Sequence, residues 1–137
     1  MEFQSKIRGL FEFLVNDYDF TEMPTVAHHE LEFQNESIGV EVKGVHWGGG
    51  TMICIRPMRD LPESEFVSIP LWSIIKINHP ELYEGFDAVD GQIPQAKISA
   101  KIMRETLPGL LAGDTSQLCK PRQFLEKRVE AVRNAAS

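Results

Sequence analysis

The stretch LEFQNESIGVEVKGVHWGGGTMICIR, residues 31–56, decides the fold. Leu31 and Phe33 alternate with Glu32 and Gln34, and further on Ile38, Val40 and Val42 alternate with Gly39, Glu41 and Lys43. A period of two is what a half-buried strand requires, because successive side chains leave opposite faces of the pleat. Gln34-Asn35-Glu36-Ser37 carries turn chemistry between the two runs. Gly48-Gly49-Gly50 permits positive φ, and Thr51 to Arg56 is apolar enough to be a central strand. Three strands joined by short turns make an antiparallel meander.

Working outward, the first strand is expected to begin near Ala27, with His29 on the face of Leu31 and Phe33, and His28 on the face of Glu30 and Glu32. Gly44 marks an expected bulge, and Phe66 to Ile69 a short edge strand after Pro57 and Pro62. Upstream, Phe3, Ile7, Leu10, Phe11, Leu14 and Val15 recur at the helical period, predicting a helix over 2–17 that Tyr18 and Phe20 staple to the sheet. Downstream, Pro70 is read as the first residue of a short helix through Ile75. Residues 78–92 show little periodicity and much Pro, Gly and Asp, and are expected to form a long loop, either a plain excursion or a binding loop carrying Leu82, Tyr83 and Phe86. Two helices close the chain: one from about Pro94 to Leu111, kinked or restarted at Pro108, and one from about Pro121 with Phe124, Leu125, Val129 and Val132 on one side. The fold class expected is a single α+β domain over 1–137: an antiparallel β-meander of three to four strands with an N-terminal helix and two C-terminal helices.

A chain of 137 residues can bury a core without disulfide staples. The two cysteines, Cys54 in a strand and Cys119 near a helix, lack CxxC spacing and are read as reduced thiols, Cys54 buried. With no secretory-type N-terminal run and no apolar stretch long enough to span a bilayer, a cytoplasmic protein is expected, away from the membrane. Charge is distributed unevenly: residues 1–96 carry 6 Lys and Arg against 16 Asp and Glu, and residues 97–137 carry 8 against 4. An acidic sheet region disfavours nucleic acid, whose phosphates need clustered cations, and suits a basic protein partner.

The candidate chemistries are weak. His28 and His29 point to opposite faces of a strand, and His46 and His79 lack helical zinc spacing, so no metal is expected. The glycine triplet is followed by a β-run where a phosphate cradle needs a helix. No serine or cysteine stands in a nucleophile motif. Glu30, Glu32 and Glu41 face one another across the first hairpin, where an open sheet face makes a solvated acidic strip the default over acid–base work. Trp47 and Trp72 are each core or interface residues, and Trp47, at a hairpin tip beside three glycines, is the stronger contact candidate.

An N-terminal helix ending in Tyr18 and Phe20, the run Phe33-x-x-x-x-Ile38-Gly39-Val40-x-Val42, the aromatic-glycine turn, Ile55-Arg56-Pro57, Leu71-Trp72-x-x-Ile75 and Leu110-Leu111-x-Gly113-Asp114 together resemble small uncharacterised bacterial proteins grouped with the immunity proteins of polymorphic toxin systems. The resemblance covers most of the chain. It implies a cytosolic α+β protein, without catalytic activity or cofactor, that neutralises a cognate toxin by binding it. The expected partner is a basic toxin domain. No contact residue is carried over from the resemblance; from the charge distribution, the long loop and the hairpin tip, the partner-binding residues expected are Trp47, Asp60, Glu63, Glu65, Glu81, Tyr83, Glu84 and Asp87. Two other readings stand beside this one: a small ligand- or metal-binding enzyme using His29, His46 and the carboxylates in a sheet cavity, and a homo-oligomeric structural component pairing through the edge near Phe66 to Ile69.

Overall fold

Asn35 shows how local chemistry closes the first hairpin. Its side-chain oxygen accepts the backbone N–H groups of Ser37 (2.9 Å) and Ile38 (2.8 Å), which turns the chain back on itself. Its amide nitrogen donates to the carbonyls of Tyr18 (3.1 Å) and Leu111 (3.3 Å), the last residues of two helices whose terminal carbonyls lack helical partners. One side chain therefore sets the turn and fastens it to the helical layer.

The computed structural model describes residues 3–45 and 49–136. The elements run α1 (Phe3–Ile7), a 3-10 turn (Arg8–Phe11), α2 (Glu12–Tyr18), β1 (Thr21–Met23), β2 (Glu30–Gln34), β3 (Ile38–Gly44), β4 (Thr51–Pro57) and β5 (Ile69–Pro70). They continue with α3 (Leu71–Asn78), α4 (Pro80–Asp87), α5 (Gln92–Thr106), α6 (Pro108–Leu111), a second 3-10 turn (Thr115–Leu118) and α7 (Cys119–Ala136). The strands form one antiparallel sheet in the order β1-β2-β3-β4-β5. Leu31, Phe33, Ile38, Val40, Val42, Ile53 and Ile55 leave one face of it and join Ile7, Phe11, Leu14, Ile74, Met103 and Leu110 in a single buried core. The expected α+β class is correct, with five strands where three to four were expected.

Several expectations change. The N-terminal helix is interrupted at Gly9 by the 3-10 turn, whose tighter winding shifts the phase so that Phe11 meets Phe33 with ring centroids 6.4 Å apart. Asp19 then ends α2 in the left-handed conformation at φ 58°, and buried Phe20 donates its N–H to the Leu14 carbonyl at 3.1 Å. β1, unforeseen because all three of its residues are solvent-exposed or half-buried, pairs with β2 at the sheet edge. β2 begins at Glu30, not Ala27: the Glu30 N–H turns back to the Ala27 carbonyl (3.3 Å), while the His29 carbonyl still accepts the Gly44 N–H of β3 (2.8 Å).

Gly44 is no bulge, since β3 and β4 pair without interruption from Ile38↔Pro57 to Gly44↔Thr51. Glycine is needed there for close approach: a Cβ would lie 3.0 Å from the Phe3 ring. The edge strand expected over Phe66 to Ile69 is only Ile69–Pro70, because the Phe66 N–H is taken by the Ser64 hydroxyl (3.0 Å) and its carbonyl by Arg122 (2.9 Å), away from the ladder. Pro70 stands just before α3 in extended conformation (ψ 141°), one place earlier than expected.

The expected loop over 78–92 contains a helix. Pro80 supplies the first residue of α4, and Leu82, Tyr83 and Phe86, at helical spacing, turn inward. The predicted helix over Pro94–Leu111 divides at Leu107 and restarts at Pro108 as α6. α7 begins at Cys119, before Pro121, and Val132 is 69% exposed instead of sharing a buried side with Leu125.

Candidate functional site

A cleft of about 570 Å³ opens where the end of β4 meets α3, α4, the start of α5 and α7. Its floor is braced by hydrogen bonds. The Gln95 amide donates to the Val89 carbonyl (2.8 Å), its oxygen accepts the Thr51 N–H (3.3 Å), and the Thr51 hydroxyl donates to the Gln92 carbonyl (2.8 Å). Gly91, at φ 94°, makes the bend that enters α5 and passes beside the cleft. Thr51 is buried although polar, and these bonds satisfy it.

The walls are aromatic and charged. Trp72 and Lys76 lie one helical turn apart on α3, and Phe124 and Arg128 repeat that spacing on α7. Trp72 and Phe124 meet edge to face with centroids 6.2 Å apart. The Lys76 ammonium lies 5.2 Å from the Tyr83 centroid and 5.6 Å from that of Phe124, and the Arg128 guanidinium lies 5.5 Å from Trp72 and 5.6 Å from Phe124. Asp87, at the end of α4, and Asp90, just beyond it, also line the cleft.

The expected contact residues separate into two groups. Tyr83 and Asp87 line the cleft, while Glu81 and Glu84 are exposed on the side of α4 away from Phe86. Of these acids only Glu81 has a basic group within salt-bridge distance among the described residues, His79 Nδ1 at 3.9 Å. Asp60, Glu63 and Glu65 do not join them. Their segment is pinned along α7 by Ser64 donating to Glu126 (2.7 Å), Arg122 donating to the Phe66 carbonyl (2.9 Å) and Arg133 paired with Glu65 (3.2 Å). By the 3.6-residue repeat, Arg122, Glu126 and Arg133 share one side of α7 and Arg128 falls on the other, toward the cleft. Trp47 and His46 lie outside the described residues. Lys76, Gln95 and Arg128 were missed, although an aromatic residue four places before a cation, on two helices, was a readable signal.

The outer face of the sheet behaves differently. Glu32 stands directly opposite Glu41, and Glu30 opposite Lys43. Arg56 pairs with Glu32 at 3.2 Å, and Lys43 reaches Glu41 at 3.5 Å and Glu30 at 3.9 Å. The carboxylate strip is thus interleaved with cations. Cys54, read as buried, is half-buried on this polar face; burial first, and the Glu41 charge second, push its thiol pKa up, while Ser68 and Lys43 act in the opposite sense. A raised pKa leaves little thiolate at neutral pH, which is the reactive form.

Among the described residues, no cluster of three or more His, Cys, Asp or Glu side chains could hold a metal ion, and no helix is long and apolar enough to cross a membrane. Comparison of the chain with protein-family models, with curated proteins and with solved structures finds no match to any of them.

Proposed function

We propose that this chain is a non-catalytic protein-binding module, an immunity-type inhibitor that neutralises a cognate toxin in the cytosol by docking against a basic domain. The contact surface is the exposed side of α4 with its C-terminal continuation: Glu81, Glu84, Asp87 and Asp90, with Tyr83 at the margin. The observation that supports this reading is the arrangement of those carboxylates on an ordered helix, with no Lys or Arg within salt-bridge distance among the described residues. Unneutralised acids repel one another slightly in the free protein and gain a partner only on association, so they serve encounter and orientation more than folding. Asp60 and Glu63 are exposed and add to the acidic field, whereas Glu65 is occupied by Arg133.

The test is co-purification of the tagged chain from its host, comparing the natural sequence with the triple variant Glu81→Lys, Glu84→Lys, Asp87→Lys. Capture of a basic protein domain that the natural chain inhibits and the triple variant releases is the expected result. Equal capture by both forms removes α4 as the contact surface, and failure of the natural chain to retain any basic partner removes the inhibitor reading.

A further inference from the structure

The cleft holds a pair of cations, opposite in sign to the α4 surface, which borders it through Tyr83, Asp87 and Asp90. Lys76 and Arg128 both line it, and neither has a carboxylate within salt-bridge distance among the described residues. Two like charges set beside one ring are held there against their mutual repulsion. The Phe124 ring, 5.6 Å from each, and the faces of Trp72 and Tyr83 provide the hold. Cation–π contact positions a cation without neutralising it, so the pair keeps its full capacity for an anion.

We infer that the cleft binds a small organic carboxylate, its single negative group held between Lys76 and Arg128 and an aromatic or branched apolar body lying against Trp72 and Tyr83. The volume of about 570 Å³ suits such a molecule, since ligand sites usually span roughly 300–1,000 Å³ and combine apolar walls with a few convergent polar groups. Arg128 supplies the planar fork that matches a carboxylate with two parallel hydrogen bonds, and Lys76 supplies a point charge. Asp87 and Asp90 set the selectivity. They make no ion pair among the described residues and share the same space, so a polyphosphate or dicarboxylate would meet two carboxylates that a monoanion need not approach.

The test is a titration of the isotope-labelled full chain, followed by NMR, with benzoate, indole-3-acetate, inorganic phosphate and ATP, each to about 10 mM, a range that reaches weak sites. Binding of benzoate or indole-3-acetate should shift the Trp72 indole and Gln95 side-chain amide signals and weaken as salt is added. The double variant Lys76→Gln, Arg128→Gln should bind at least ten-fold more weakly. Lys120→Gln, at an exposed position at the start of α7, should bind as the natural chain does. Both cleft cations are exposed, so the double variant should keep the natural circular dichroism spectrum and melt cooperatively, a few degrees lower through the loss of the ring contacts. No shift with either carboxylate, tighter binding of ATP or phosphate, or undiminished binding by the double variant would overturn the assignment. The outcome is separable from that of the proposed partner contact, because neither Lys76 nor Arg128 belongs to the α4 surface.

Discussion

The outer face of the sheet and the cleft beside it carry similar numbers of charges and treat them in opposite ways. On the sheet, the ladder sets Glu30 opposite Lys43, and Arg56 and Lys43 answer Glu32 and Glu41. At the cleft, Lys76, Arg128, Asp87 and Asp90 share one space, and none of them has an ion-pair partner among the described residues. The difference teaches where stability and binding are divided. Cross-strand neighbours stabilise a sheet by fractions of a kcal/mol each, whereas charges without an ion-pair partner keep their capacity for another molecule.

The sharpest way to break the comparison is to weaken the scaffold on each side. Ile55 is fully buried on the interior strand β4, and Ile55→Ala should cost about 2–5 kcal/mol through lost burial and the cavity left behind. Leu82, only partly buried on α4, should cost roughly 1 kcal/mol on the same truncation. Urea denaturation of both variants measures the gap; equal losses would mean that α4 is as much a part of the core as the sheet.

A smaller effect separates the two thiols. Cys54 on the sheet face, raised by burial and by Glu41, should react with a neutral disulfide reagent at pH 7 at least ten-fold more slowly than exposed Cys119. Glu41→Gln should narrow that ratio. The sign for stability follows from the same shift: the folded state holds the Cys54 proton more tightly than the unfolded chain. This contribution is therefore complete below the unfolded thiol pKa and is lost as pH rises through the folded value. Denaturation midpoints across the alkaline range should show it, and Cys54→Ser should remove that part of the slope.

The smallest effect tests the charges themselves. Arg56→Met removes the partner of Glu32 and leaves that carboxylate opposite Glu41, at a cost of about 1 kcal/mol after allowance for solvent screening. Glu84→Gln on α4 should stay within roughly 0.5 kcal/mol of the natural chain, as exposed substitutions without a partner do. If the two changes cost the same in chemical denaturation, the division between paired sheet charges and the unpaired charges of α4 fails.

Much of the scaffold was legible because its period is local. Alternation in 31–56 implied strands and their inward faces, and the 3.6-residue spacing implied helices near both ends and after Pro70. Each signal repeats every two to four residues within one element. Short pieces were not legible. β1 has no buried residue to mark it, and α4 packs its inward side chains into eight residues that also contain Gly85 and open with Pro80. Such segments acquire their structure from the neighbours they pack on, and propensity alone does not reveal it.

The candidate site follows the same division. Tyr83 and Asp87 were named from composition and do line the cleft, yet Asp60, Glu63 and Glu65 lie along another side of α7, and Lys76 and Arg128 entered only when α3 and α7 were brought side by side. The sequence by itself determined the class of fold, the inward faces of β2 and β3 and the sign of the charge on each segment, all of which depend on residues close in the chain. Only the tertiary structure decided which charges meet. Residues 72, 76, 83, 87, 124 and 128 are neighbours through packing across three helices, and no periodicity within one element encodes that distance.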